Sequence, residues 1–216
     1  MTTIGIIGAG HIGSNVAKAA IAAGYDVVIS NSRGPESLTE LVAELGPKAR
    51  AGSTADAAAS GDLVLVAIPL GKIGGLNASD FAGKIVIDAN NYYPQRDGRI
   101  AALDSNALTV SELLQAQLPD ARVVKGFNNI GAKDIPIDGM PAGSENRRAL
   151  PIASNDADAM VRVGEFFDSI GFDAVPIGDL SQSWLVERDT PAYVTRTNVF
   201  ELHELIAETV RVQQQV

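Results

Sequence analysis

Apolar positions along this chain follow two alternating periods, one of strands and one of helices. Residues 4–7 form an apolar run of strand length, after which Ile12, Val16, Ala19, Ala20 and Ala23 share one helical face, closed by Gly24. Residues 27–30 read as the next strand. Pro35 is suited to a first helical position, and Leu38, Leu41, Val42 and Leu45 continue as a helical stripe that ends at Gly46. Thr54 can cap an alanine-rich helix, residues 63–68 are a fully apolar strand and residues 85–89 another strand, both of the kind buried in parallel sheets. Thr109 and Glu112 have capping-box spacing for a helix ending near Pro119, followed by a strand over 122–127. A strand over 150–153, a helix from about 156 to 170 and a strand over 173–177 complete the series. Parallel neighbours need crossover connections, so this alternation predicts an α/β fold with a Rossmann-type doubly wound parallel sheet.

Beyond Ile177 the period is lost. Residues 178–189 are irregular, and Thr190-Pro191 is expected to start a long helix carrying Val194, Asn198, Val199, Leu202, Leu205, Ile206 and Val210, without a strand partner. The expected organisation is therefore a dinucleotide-binding domain over residues 1–177 and a small C-terminal helical segment over 178–216. Residues 131–148, rich in Gly, Pro and charge, read as a long loop at the sheet edge.

Composition narrows the chemistry. Of 216 residues, 46% are apolar and 20% charged, enough to bury a core. The absence of cysteine removes disulfides, thiolate metal sites and a cysteine nucleophile together, while His11 and His203 lack the spacing of a helical zinc site. No metal is expected. A net charge of -9 disfavours nucleic acid and anionic membrane as partners. No apolar run reaches membrane-spanning length and the N-terminus lacks a basic n-region, so a cytoplasmic location is expected.

Gly8-Ala9-Gly10-His11-Ile12-Gly13 is a G-x-G-x-x-G placed directly between a strand and an amphipathic helix. In that setting Gly8 makes the tight turn, Gly10 lets a pyrophosphate approach the backbone, and Gly13 permits close helix packing. His11 reads as a backbone-contact position and not as a proton donor. At the end of the second strand, where an NAD site usually carries Asp or Glu, stand Asn31, Ser32 and Arg33. Arg33 suits a 2'-phosphate, with Ser32, Asn31 and Ser37 as further donors, which favours NADP over NAD. Ile68, Pro69 and Leu70, then Ala89 and Asn90, and then Asn128 follow successive strands and are expected at the nicotinamide end.

These motifs, with the turn over residues 31–37, the Phe127-Asn128-Asn129-Ile130 sequence and the segment over 180–187, resemble the NADPH-dependent deazaflavin reductases, also called the coenzyme F-420-dependent NADP oxidoreductases. The resemblance runs nearly the whole length in matching order. It implies a homodimer, NADPH on the glycine loop, and a deazaflavin (F-420) stacked on the nicotinamide. It also implies hydride transfer without an obligatory catalytic side chain. Asn128 stands where well-studied members look to have a histidine, which leaves deazaflavin, flavin and quinone open as the small-molecule ring acceptor.

No residue is assigned a catalytic role, because hydride transfer between stacked rings asks the protein mainly for proximity and orientation. Lys125 reads as a snorkelling strand residue, Glu187 as a surface residue, and Trp184 as a core anchor of the C-terminal segment. Ile68, Pro69, Asn128, Ile130 and residues 180–185 are expected to form a flat acceptor cleft. Two other classes are a non-catalytic NADPH sensor and a short relative of the β-hydroxyacid or imine dehydrogenases. The latter would need a larger helical domain than the residues after Ile177 provide.

Overall fold

The computed structural model describes residues 2–211, so Met1 and the end of the expected C-terminal segment, residues 212–216, lie outside the described residues. Strands β1 (Thr3–Ile7), β2 (Asp26–Ser30), β3 (Ala49–Ala51), β4 (Leu63–Val66), β5 (Ile85–Asp88), β6 (Arg122–Lys125), β7 (Ala149–Ser154) and β8 (Asp173–Pro176) form one sheet in the order β3-β2-β1-β4-β5-β6-β7-β8. The helices are α1 (His11–Ala22), α2 (Thr39–Leu45), α3 (Thr54–Ser60), α4 (Pro94–Asp97), α5 (Ala101–Asp104), α6 (Val110–Gln117), α7 (Ala157–Ser169) and α8 (Val199–Glu208). Sequence order reverses between β1 and β4, and the crevice at such a reversal is where open α/β sheets bind ligands.

Both faces are covered, as the alternation along each strand requires. Ile4 and Ile6 of β1 pack with Val16 and Ala20 of α1 and, farther along that face, with Phe166 and Phe167 of α7. Ile7 of β1 faces the other way, into a core shared by Ala57 of α3 and Leu114 of α6. Gly5 is needed on that side because a Cβ there would lie 2.1 Å from the Ala57 carbonyl oxygen.

The expected Rossmann-type α/β architecture is present, with four local departures. The sheet is parallel from β3 to β6, but β7 pairs antiparallel with β6, Val124 opposite Ser154. Residues 126–148 contain no helix to carry the chain back across the sheet, so β7 starts from the rim where β6 ends and must run the opposite way. That connection therefore lies at the carboxyl end of β6 and not at a sheet edge. Arg147 pins it to Asp168 and Asp173, each at 2.7 Å, and Arg148 to Asp138 at 2.8 Å. At α3 the N-cap is Ser53, in a reciprocal box with Asp56, and Thr54 is the first helical residue. Pro35 opens a short 3-10 turn (Pro35–Leu38) from which α2 continues.

The C-terminal segment departs furthest from expectation. Residues 191–194 form turns and 195–198 are irregular, and α8 begins only after Asn198, whose side chain accepts from the Glu201 N–H at 3.0 Å while Glu201 accepts from the Asn198 N–H. A reciprocal cap satisfies two end groups, whereas Thr190-Pro191 offers only a favourable start, and Val194 is held at a positive φ of 52° that a helix excludes. The segment is not simply appended. Leu202 and Ala192 are buried with Ala149 and Val175 in a third cluster, and the Ala149 N–H donates to the Thr197 carbonyl. Trp184 joins none of the three core clusters; it is half-buried, with the Arg211 guanidinium 5.5 Å from its ring centre. No helix among the described residues is long and apolar enough to cross a membrane.

Candidate functional site

The turn after β1 is shaped by its three glycines. Gly8 has a φ of 111°, open to glycine at little cost. Gly13 lies so near the turn that a Cβ would sit 1.9 Å from the Gly8 carbonyl oxygen, whereas a Cβ on Gly10 meets nothing within 4 Å. Gly10 is also the N-cap of α1, with no side chain capping it and no acidic residue in the first turn. The first N–H groups of α1 thus open toward a cleft with no competing acceptor, an arrangement that favours an anion.

That cleft, of about 710 Å³, runs from the glycine turn across the β1/β4 crossing point. Gly8, Ala9, Gly10, Asn31, Ser32, Arg33, Ile68 and Pro69 line it, together with Thr54, Lys72, Gly75 and Leu76. Arg33 and Ser32 are exposed, and the Arg33 guanidinium has no hydrogen-bonding partner among the described residues. Asn31 is used within its own turn: its Oδ1 accepts from the Arg33 N–H at 2.9 Å and its Nδ2 donates to Ser37 Oγ at 2.8 Å. Ser37 in turn donates to the Gly34 carbonyl at 2.7 Å and does not line the cleft. The arrangement holds Arg33 in place and leaves Asn31 and Ser37 little capacity for a ligand. Leu70 also stays outside, buried in the core beside α3 and α6.

A second compartment, of about 350 Å³, shares Gly10, Ala67, Ile68 and Pro69 with the first, so the two adjoin. His11, Ile12, Ala89, Asn90, Asn128 and Ile130 line it, as do Phe127, Tyr93, Arg96 and Tyr193. Residues 180–185 do not reach it; Leu180 is buried under α6, and the C-terminal segment enters through Tyr193 and Val194 instead. Both amide atoms of Asn90 and the Oδ1 of Asn128 are buried without a hydrogen-bond partner. Unpaired buried amides are costly, and these leave donor and acceptor capacity unused beside the second compartment. Asn128 Nδ2 donates to the Val186 carbonyl at 2.7 Å, which ties the site to the C-terminal segment.

Beneath Asn90 lies a buried ionic cluster. Lys125, with no exposed surface, donates to the Asn90 carbonyl at 2.6 Å and stands 3.3 Å from Asp88, itself fully buried. Asp88 also accepts from Ser111 Oγ at 2.6 Å and from the Asn90 N–H at 2.9 Å. Neither the snorkelling expected of Lys125 nor the surface position expected of Glu187 is found. Glu187 is buried, accepting from the Val110 N–H at 3.0 Å and from Ser183 Oγ at 3.3 Å. Strand position alone could not show this, because the partners come from other strands and from α6.

Burial pushes the Glu187 carboxyl above its ordinary value of 4.5, against the opposing pull of Lys125 and the Val110 N–H. A carboxyl with a raised native value holds its proton more tightly folded than unfolded. Its contribution to stability is complete below about pH 4.5 and falls as pH rises through the native value. Glu187→Gln keeps an oxygen for the Val110 N–H and should remove that fall. Urea unfolding from about pH 4.5 to neutrality should then be flatter than in the wild type; parallel curves would show that Glu187 does not titrate in this window.

Thr54, Lys72, Tyr93, Arg96 and Tyr193 escaped the reading of the sequence. Lys72 follows Pro69 so closely that it could have been included with that turn. Nothing local singles out Tyr193.

Known proteins place these features. Residues 3–92 match the family described as NADP oxidoreductase coenzyme F420-dependent. A hypothetical protein, SMa0349, from Sinorhizobium meliloti shares 33% identity over 91% of this chain and 95% of its own, with a TM-score of 0.79. A candidate F420-dependent NADP reductase from Arthrobacter sp. FB24 shares 26% identity over 85% of this chain and 87% of its own, with a TM-score of 0.71. The 3-hydroxyisobutyrate dehydrogenase of Mycobacterium tuberculosis, at 15% identity and a TM-score of 0.61, shares the fold over 84% of this chain but only 56% of its own. No curated protein matches this chain significantly. With a glycine turn, an exposed arginine after β2 and a second compartment beside the first, the chain belongs to the coenzyme F420-dependent NADP oxidoreductase family.

Proposed function

We propose that this chain binds NADPH along both compartments and passes its hydride to a flat conjugated ring, a deazaflavin foremost, in the second. The observation that carries the reading is that the two compartments adjoin at Gly10, Ala67, Ile68 and Pro69, with the unpaired Asn90 amide lining the second. The residues present fit the dinucleotide: an open Gly10, an uncapped helix N-terminus, and Arg33 and Lys72 as cations on the same cleft. When bound, NADPH supplies the hydride.

The protein's part is orientation. The α1 N–H groups hold the pyrophosphate, Arg33 reads the 2'-phosphate with Ser32 beside it, and Asn90 and Asn128 offer amide partners to the nicotinamide carboxamide or to the polar edge of the acceptor. Ile68, Pro69, Phe127 and Ile130 give the second compartment apolar walls suited to a ring. With 4R- and 4S-deuterated NADPH in separate rapid-mixing runs, label from one face only should appear at C5 of a deazaflavin. Reduction of free flavin or a quinone but not of deazaflavin would keep the oxidoreductase and sink the deazaflavin assignment.

Cofactor choice has its own test. Losing a charge-assisted phosphate contact costs about 1.5 to 3 kcal/mol, or roughly one to two decades in affinity. Arg33→Ala should weaken NADPH by that much in a fluorescence titration and leave NADH nearly unchanged. Equal weakening of both would mean that Arg33 only supports the turn.

A cytoplasmic location and a twofold dimer belong to the same proposal. Leu202, Leu205 and Ile206 of α8 face the sheet, but Phe200 is 69% exposed, with Val199 and Val194 exposed nearby. Phe200→Glu should lower the mass by light scattering from dimer to monomer while the far-ultraviolet circular dichroism stays that of the folded chain. An unchanged dimer would place the interface elsewhere.

A further inference from the structure

Transfer of a hydride to a conjugated ring forms one C–H bond and leaves an electron pair on a ring nitrogen or oxygen, which must then take a proton. Four titratable side chains line the second compartment: His11, Tyr93, Arg96 and Tyr193. Arg96 keeps its protons at any working pH, and it is engaged with Asp97 at 2.8 Å and the Asn91 carbonyl at 3.0 Å. His11 is exposed on the first turn of α1. The two phenols are half-buried and hydrogen-bonded to each other through their hydroxyls, one from the loop after β5 and the other from the C-terminal segment.

Resting on the reading above, we propose that Tyr193 is the proton donor to the reduced ring, with Tyr93 behind it as the relay. As the C–H bond forms at the ring carbon, the Tyr193 hydroxyl gives its proton to the ring nitrogen or oxygen that receives the electron pair. The Tyr93 hydroxyl then passes its proton across the shared hydrogen bond to Tyr193, and water returns one to Tyr93. NADPH, acceptor and one proton are consumed; NADP and the dihydro ring leave.

Three observations support this assignment. Burial, and then the hydrogen bond shared with Tyr93, raise the Tyr193 phenol above its ordinary value against the opposing pull of Arg188, so it still carries its proton when hydride arrives. The guanidinium groups of Arg96 and Arg188 stand 4.7 and 5.4 Å from the Tyr93 ring centre, over the ring that bears the transient negative charge. Asp189 raises the Tyr193 value, and Asp97, which accepts from the Tyr93 N–H at 3.0 Å, is paired with Arg96. The family resemblance assigns no proton donor, and sequence separation hides this one, since the two tyrosines are 100 positions apart.

The test pairs Tyr193→Phe with Tyr93→Phe, using a 5-deazaflavin and menadione as acceptors. Tyr193→Phe should lower turnover about 100-fold and abolish the solvent deuterium isotope effect, with an unchanged far-ultraviolet circular dichroism spectrum showing that the variant is folded. Tyr93→Phe should give a smaller loss and keep part of the isotope effect. Without ligand, the near-ultraviolet phenolate titration of wild type minus Tyr193→Phe should show the missing phenol ionising above the ordinary tyrosine value of 10. Turnover and isotope effect unchanged in Tyr193→Phe, or a missing phenol that ionises at or below its ordinary value, would overturn the proton donor and leave the hydride-transfer reading standing. If wild-type protein reduces neither acceptor, the reading itself fails and the proton donor with it.

Discussion

Gly10→Ala should abolish tight NADPH binding, by about 100-fold or more, and leave the unfolding temperature where it was. The added methyl has no protein atom within 4 Å and Gly10 already has an extended backbone, with φ of -80° and ψ of -169°, that alanine adopts freely. The methyl would instead fill the space through which a pyrophosphate approaches α1. Gly13→Ala should fail in the opposite way. Its methyl would lie 1.9 Å from the Gly8 carbonyl oxygen and 3.1 Å from Ile6, so backbone must move, at a cost of about 3 kcal/mol in urea unfolding. Two glycines of one motif thus separate into a binding role and a packing role. Normal NADPH affinity in Gly10→Ala would show that the dinucleotide does not cross the turn there.

The second large effect lies under the site. Replacing Lys125 by Met removes the charge partner of a fully buried Asp88, and breaking a buried pair in this way costs about 3 to 5 kcal/mol. Ser111 Oγ and the Asn90 N–H would remain to Asp88, but neither carries charge. The Asn90 carbonyl also loses its donor, so the amide that lines the second compartment should loosen. A double variant, Lys125→Met with Asp88→Leu, should recover much of the stability and not the NADPH affinity, because the Asp88 charge goes with that of Lys125 and the buried Glu187, its value already raised, can take up a proton, but Asn90 is still untethered. Equal stability of the single and double variants would show that Asp88 is satisfied without Lys125.

How much of this was legible follows from how far each signal reaches along the chain. The glycine turn, the capping box at Thr109 and Glu112 and the alternating apolar runs act between residues a few positions apart, and each is found where the residues point. The start of α8 was equally local. Asn198 and Glu201 have the same spacing, but Thr190-Pro191 is the more conspicuous pair and the reciprocal cap outweighs it. Asn31 and Ser37 show a subtler limit: their donor chemistry is suited to phosphate, yet the turn consumes it in holding Arg33. The reversal of β7 was not legible, because strand direction depends on which rim a long connection returns to.

The sequence by itself determined the doubly wound frame, the glycine turn and the absence of any thiol chemistry, since these depend on residue type and short-range spacing. Only the tertiary structure decided what lies at the inner end of the site. Lys125 meets Asp88 across 37 positions, Glu187 meets Val110 across 77, and Tyr193 meets Tyr93 across 100. Whether such groups become solvated surface or a buried, unequally satisfied polar floor depends on which strands and segments the packed core sets side by side, and no window of sequence contains both partners.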